Sequence, residues 1–462
     1  MIQFDLKINK RRALIVIIAA ISVMVIDSTI VKYIAFSNKE YPAPVYVSIF
    51  VTLAVLFVGI IIVLLGFVKR KDTESRLKRG LSVKTTYLIT AVTQLLLVSM
   101  MIIIIQPTTA LKSYNTLSLL VLVFISHITA LFFLIMLVLT MVDSIIAKRD
   151  KILSLYTISF SLTAITIMIS LIYSTYVLSN QTSNIRPLPI HYALLNLPRA
   201  DLAISFGLAL DIISILSFVS VWIASAVMMN TYSRRIGKIR YWAIISIPLI
   251  YFLFPFEKNV VDIFQSLVVS SPVLYGVLNV TIFSATKQIG ALFFSLVFLA
   301  ASTLVTKHEM QKYLLISAIG MAILYGSIEI DTLLYATYPP FGAVTAAFIP
   351  MGAYLVFTGI IRSATLVAQD SELRREFYNT AKSQLSLLKS IGVTQMEKEL
   401  IKKYKSMDKR ARSLEEDSRF EKDDVKEALH GLVDDLDKEK AREMLHDVLT
   451  ELYSKSKPEG KS

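Results

Sequence analysis

The stretch from Ser118 to Ile146 reads SLLVLVFISHITALFFLIMLVLTMVDSII, and it decides the fold class. Its ionisable side chains are His127, inside the stretch, and Asp143 near its end. The hydrocarbon core of a bilayer is about 30 Å thick, so about 20 apolar residues rising 1.5 Å each cross it as a helix. A helix that is apolar all round must be buried on every side, by protein or by lipid. Basic residues follow it closely, at Lys148, Arg149 and Lys151.

Outward from that stretch the same pattern recurs. Ten candidate spans lie at residues 13–35, 45–68, 85–106, 118–146, 153–178, 202–229, 241–256, 284–305, 313–336 and 343–368. The 241–256 span is the shortest. Composition agrees: 55% of the 462 residues are hydrophobic and 18% are charged, whereas a soluble domain carries about one quarter charged residues. The expected fold is therefore all-α, a polytopic transmembrane helical bundle over residues 1–369 with a short helical cytoplasmic tail over 370–462. Residues 1–12 resemble the basic head of a signal peptide. The apolar run behind them is long and lacks a small-residue cleavage pattern, so it reads as an uncleaved first span.

The connectors set the orientation. One alternate set holds Lys7, Lys10, Arg11 and Arg12, then Lys69, Arg70, Lys71, Arg76, Lys78, Arg79 and Lys84, then Lys148, Arg149 and Lys151. It continues with Arg234, Arg235, Lys238 and Arg240, then Lys307 and Lys312. The other set offers Lys39, Lys112, Arg186, Arg199 and Lys258, with Lys287 at a margin. The bias is about fourfold and places the basic set, with both termini, in the cytoplasm of a cell-membrane protein. The net charge of +13 thus belongs to membrane topology. It does not point to nucleic acid as a partner. Asn180-Gln181-Thr182 forms a glycosylation sequon on the longest outer loop, with Asn180 as its acceptor.

Residues 259–283 are apolar but broken by Ser270-Ser271-Pro272 and Gly276, which suits a segment that does not cross. Pro339-Pro340 fixes a tight outer turn.

The tail divides in two. Residues 370–412 are expected as basic helices and 421–455 as an amphipathic helical hairpin. The first helix continues the last span through Gln369, Asp370 and Arg374. Gly392 suits the position just past a helix end. Thr394 and Glu397 fit a capping box that starts the next helix. The hairpin stripes run through Val425, Leu429, Leu432 and Leu436, then Leu445, Val448 and Leu452. Helices this short are marginal alone in water, so these stripes need a second copy, each other, or a cytoplasmic protein partner.

Ionisable groups inside spans cost at least about 2.5 kcal/mol each unless satisfied. The candidates among them are Asp27, Lys32, His127, Asp211, Glu329 and Asp331. Most fall in the expected outer half, where they could line a polar cavity. The competing reading makes them structural, each satisfied by a partner on another helix. Glu329 and Asp331 point about 200° apart around a helix and cannot act as a carboxylate pair. His127 has no second His or Cys at ligand spacing, which favours a satisfied polar residue over a metal ligand.

Enzyme readings fail in turn. The chain has no cysteine, which excludes disulfides, thiolate metal sites and Cys nucleophiles. His308-Glu309-Met310-Gln311-Lys312 lacks the second histidine of a zinc-protease helix. No phosphate loop is present, and no cofactor is implied. His430 and His446 stand without a kinase domain. Asp434-Asp435-Leu436-Asp437 lacks the glycine and closing glutamate of a calcium loop.

Between about residues 313 and 399 the chain resembles a group of uncharacterised multi-pass membrane proteins of ammonia-oxidising archaea. The resemblance is carried by Tyr313-Leu314-Leu315-Ile316-Ser317-Ala318 and by Tyr338-Pro339-Pro340-Phe341-Gly342. It continues in Gln369-Asp370 with Leu373-Arg374, and in Ser390-Ile391-Gly392 with Gln395-Met396-Glu397. It covers roughly a fifth of the chain closely. No activity is established for the group, so the resemblance implies an archaeal cell membrane and a purposeful span-to-tail junction, and no chemistry.

Two functions fit the sequence. The first is a sensor, signal transducer or interaction protein acting through its tail. The second is a secondary transporter or channel, with Glu329, Asp27 or Asp211 as the coupling carboxylate.

Overall fold

The computed structural model describes residues 10–36, 43–72, 83–111, 115–147, 150–180, 200–230, 233, 237–254, 286–305, 307–328 and 340–369, with 391 and 394 from the tail. Nearly all of the described residues are helical, with no strand among them. In chain order the helices are α1 (Lys10–Phe36), α2 (Ala43–Asp72), α3 (Val83–Leu111), α4 (Thr116–Ala147) and α5 (Lys151–Asn180). They continue as α6 (Ala200–Met229), α7 (Lys238–Leu253), α8 (Thr286–Thr303), α9 (His308–Ser327) and α10 (Ala343–Gln369).

Seven of these, α1 to α6 and α10, are long and apolar enough to cross a membrane. The chain is thus a multi-pass helical membrane bundle. The other three expected spans coincide with shorter helices. At 16 residues, α7 reaches about 24 Å, less than the hydrocarbon thickness. The 20 residues of α9 include a polar first turn with His308, Glu309, Gln311 and Lys312.

Local chemistry sets several boundaries. Asn115 starts α4 by accepting from Leu117 N through Oδ1 at 2.9 Å. Asp150 starts α5 by accepting from the backbone N–H groups of Ile152 at 2.8 Å and Leu153 at 3.1 Å. Each fills acceptor duties that a helix N-terminus leaves open. Gly342, with φ of 90°, starts α10. That left-handed backbone suits glycine, since a Cβ is disfavoured there.

The bundle has a centre and a shell. The centre is the pair α9 and α10, which pack on each other along their lengths. Every residue of α9 from Tyr313 to Ser327 is buried. In α10, 89% of the best spanning window is buried, against 33% in α2 and in α3. Around the pair stand α4, α3, α2 and α1 against α10, with α8 and α1 against α9. Helices α5 and α6 pack together and join the centre through α4 and α8.

Glycines let the central pair close. A Cβ on Gly320 would sit 2.6 Å from Val356 N, and one on Gly352 would sit 2.6 Å from Leu324 N. A Cβ on Gly359 would sit 2.6 Å from Ser317 N. Lipid tails are as apolar as leucine, so backbone-to-backbone packing at small residues substitutes for a hydrophobic drive between helices.

Proline is accommodated in the same place. Pro350 lies inside α10 and has no N–H for the carbonyl of Ala346. Ser126 Oγ, from α4, donates to that carbonyl instead. A freed carbonyl at membrane depth must find such a partner. Trp222 Nε1, from α6, donates to Ile245 O of α7 at 2.8 Å, in the turn preceding Pro248.

Candidate functional site

The expected polar residues do not meet in one place. Asp27, on α1, is fully buried. Its Oδ1 accepts from Gly342 N at 3.0 Å. Its Oδ2 accepts from Thr345 N at 2.9 Å and from Thr345 Oγ1 at 2.7 Å. This carboxylate caps the N-terminus of α10 from another helix, where exposed N–H groups and the helix dipole favour negative charge. The geometry is that of a structural clamp at the head of the central helix.

His127, on α4, is also buried. Nδ1 contacts Val123 O at 2.8 Å, and a carbonyl only accepts, so Nδ1 carries the proton. Nε2 makes the second contact, 2.9 Å from Ser170 Oγ of α5. His127 thus ties α4 to α5.

Asp211 lies on an exposed face of α6, between Leu208 and Ile212, which are exposed too. It is engaged in an interaction. Lys32 lies on α1, Asn180 ends α5 and Gln369 ends α10; their side chains are outside the described residues. So are Glu329, Asp331, Asp370, Arg374, Gly392 and Glu397. In the tail, Ile391 is helical and buried within the main apolar core. Thr394 is helical, buried and engaged. Among the described residues no cluster of His, Asp and Glu could hold a metal ion.

The structure does assemble a site that the ionisable residues do not mark. Thr163 of α5, Ser217 of α6 and Tyr325 of α9 converge. Thr163 Oγ1 stands 3.0 Å from Ser217 Oγ and 2.9 Å from Tyr325 Oη. It also donates to Ser159 O at 2.8 Å. Beside this triad is a half-open cavity of about 20 Å³, lined among the described residues by Thr166, Ser214, Ser217, Phe218, Phe252, Tyr325 and Ile328. That volume holds about one water-sized particle.

Its aromatic wall is fixed. Phe218 stacks on Phe252 with centroids 3.7 Å apart and planes 8° from parallel. Phe294 meets Tyr325 edge-on at 5.1 Å. Gly290 admits the Phe218 ring, since a Cβ there would overlap its Cε2. Thr163 and Ser217 lie near the middles of the 151–179 and 205–229 spans. Phe252 and Ile328, by contrast, stand at the C-terminal ends of α7 and α9.

Sequence reasoning missed this triad because hydroxyls are ordinary in membrane helices. A signal was present. Helix α5 carries Ser154, Thr157, Ser159, Ser161, Thr163, Thr166, Ser170 and Ser174, far more hydroxyls than α2. Gln94 of α3 was missed as well. It is buried, and both its amide heteroatoms lack a protein hydrogen-bond partner. The buried Arg362 of α10 is another engaged polar group inside the bundle.

No family model, no curated protein and no solved structure matches the chain.

Proposed function

We propose that the protein is a membrane-embedded transducing or interaction protein in which α10 links the bundle to the tail. On this reading ten crossings, completed by α7, α8 and α9, leave both termini in the cytoplasm of a cell-membrane protein. The observation that carries the proposal is the placing of α10. It is clamped at its head by Asp27, buried along its length among α9, α4, α3, α2 and α1, and shares a core with Ile391 of the tail. A rearrangement of the surrounding helices has to act on this helix, and the tail follows it in sequence. The tail would then engage a cytoplasmic protein or a second copy.

A transporter or channel is the second reading. It is favoured by the cavity whose wall draws Thr166, Ser214 and Ser217 from the middle parts of two spans, since transport sites lie near the membrane midplane. Complementation of a deletion strain separates the two. Inserting one alanine between residues 370 and 389 rotates everything beyond it by about 100°. The transducing reading expects this variant to fail and Glu329→Gln to complement. The opposite pattern would replace that reading with transport.

A further inference from the structure

We propose that the exposed face of α7 is a docking site for an anionic lipid, with Lys238 and Arg240 at its headgroup and the apolar flank beneath them along its acyl chains.

The depth of α7 follows from its pairing with α6. Tyr241 Oη donates to Ala226 O. Trp222 Nε1 donates to Ile245 O. Phe218 stacks on Phe252. Numbers rise along α7 as they fall along α6, so the two helices run antiparallel. Helix α6 is one of the long apolar spans, and its crossing stretch ends at Met229. Ala226 lies within one turn of that end. Tyr241 is therefore held close to a membrane surface, and α7 enters the bilayer from there. Lys238 and Arg240, which precede Tyr241, stand at headgroup level.

The local sequence at that level is cationic. Arg234, Arg235, Lys238 and Arg240 follow one another closely, and no Asp or Glu occurs between Asp211 and Glu257. Lys238 and Arg240 are both exposed. A cation near an anionic membrane surface gives about a fivefold preference for that surface.

The flank below is apolar. Tyr241, Ile245, Pro248 and Phe252 take the buried side of α7. Ile244, Ile247 and Ile250 are exposed on the other. Ile244 and Ile247 follow Arg240 at helical spacing, so the charge and the apolar row lie on one line down the helix. Trp242, also exposed, follows Lys238 by one turn. Its ring stands where tryptophan gathers in membrane proteins, between headgroups and chains. A charged head above an apolar body is the chemistry of a lipid. An acidic protein segment would match the cations alone, and a zwitterionic lipid the flank alone.

The test uses the tryptophans themselves. The protein has two. Trp222 and Trp242 lie with ring centroids 6.4 Å apart, so tryptophan fluorescence reports this one place. The full chain is reconstituted in equimolar phosphatidylcholine and phosphatidylglycerol. Bromine, a contact quencher, is carried near the headgroup end of the chains of one lipid or of the other. Brominated phosphatidylglycerol is expected to occupy the face at least about fivefold more often than brominated phosphatidylcholine. Raised salt should shrink that preference, because it screens exposed charge. Lys238→Gln with Arg240→Gln should bring the two lipids near parity while the quenching itself persists. Lys151→Gln, exposed at the head of α5, should leave the preference unchanged. If the double variant does not reconstitute, the single variants carry the test, each losing part of the preference. The proposal is overturned if the two lipids quench the wild type equally, or if the preference survives intact in the variants. It is overturned too if neither lipid quenches, the result given when a second copy or another segment of this chain covers the face.

Discussion

The central pair α9–α10 and the outer helices α2 and α3 answer the same solvent in opposite ways. Helix α2 is the most hydropathic of the seven long spans and is mostly unburied by protein, while α10 shares the lowest hydropathy and is almost wholly buried. In a water-soluble fold the ranking would run the other way. Here lipid covers the shell, so the shell needs apolar side chains and little else. The centre needs close packing and satisfied polar groups. It therefore holds glycines at the contacts, a proline whose freed carbonyl is bonded, and a carboxylate at a helix head.

That contrast can be broken most severely at Asp27. Asp27→Ala removes the acceptor of three hydrogen bonds and leaves two backbone N–H groups buried. A loss of about 3–5 kcal/mol is expected, in the range for breaking a buried charged interaction. Reversible unfolding in mixed micelles would measure it. A loss under about 1 kcal/mol would show that the clamp does not hold α10.

The glycine contacts come next. Gly320→Ala, Gly352→Ala or Gly359→Ala forces backbone apart and is expected to cost about 1–3 kcal/mol each, as overpacking does. The same unfolding assay checks this. Ser126→Ala leaves the carbonyl of Ala346 without its donor beside Pro350, and about 1–2 kcal/mol should be lost. Adding Pro350→Ala restores the helical N–H, so the double variant should recover most of that loss. The smallest effect belongs to the shell. Gly59→Ala in α2 meets nothing within 4 Å and should be neutral or stabilising, since alanine favours helix by up to about 1 kcal/mol. A Gly59 loss equal to the Gly320 loss would erase the distinction between shell and centre.

The fold class was legible because apolar length alone decides it, and seven long spans follow directly from that rule. What packs at the centre was not legible. Hydropathy ranks helices by affinity for oil, and a helix wrapped in protein needs less of it. Tyr313 to Ser327 looked like one span among ten, yet it is among the most enclosed segments described. Among site residues, charge was an uneven guide. The sequence marks Asp27 and His127 as needing partners, which the structure supplies in backbone and serine. It cannot mark Thr163, Ser217 and Tyr325 as neighbours, because that meeting depends on how three distant helices pack.

Oxygen collision rates of spin labels in lipid vesicles test the shell-and-centre organisation most directly. The chain has no cysteine, so single cysteines can be placed without background. Labels at Ile62 and Leu95, 65% and 67% exposed, should collide freely with oxygen dissolved in the acyl chains. Labels at Ala322 and Ala353, both 0% exposed, should be shielded by protein. Equal collision rates at all four positions would contradict the account, because lipid would then reach the helices that it places at the core.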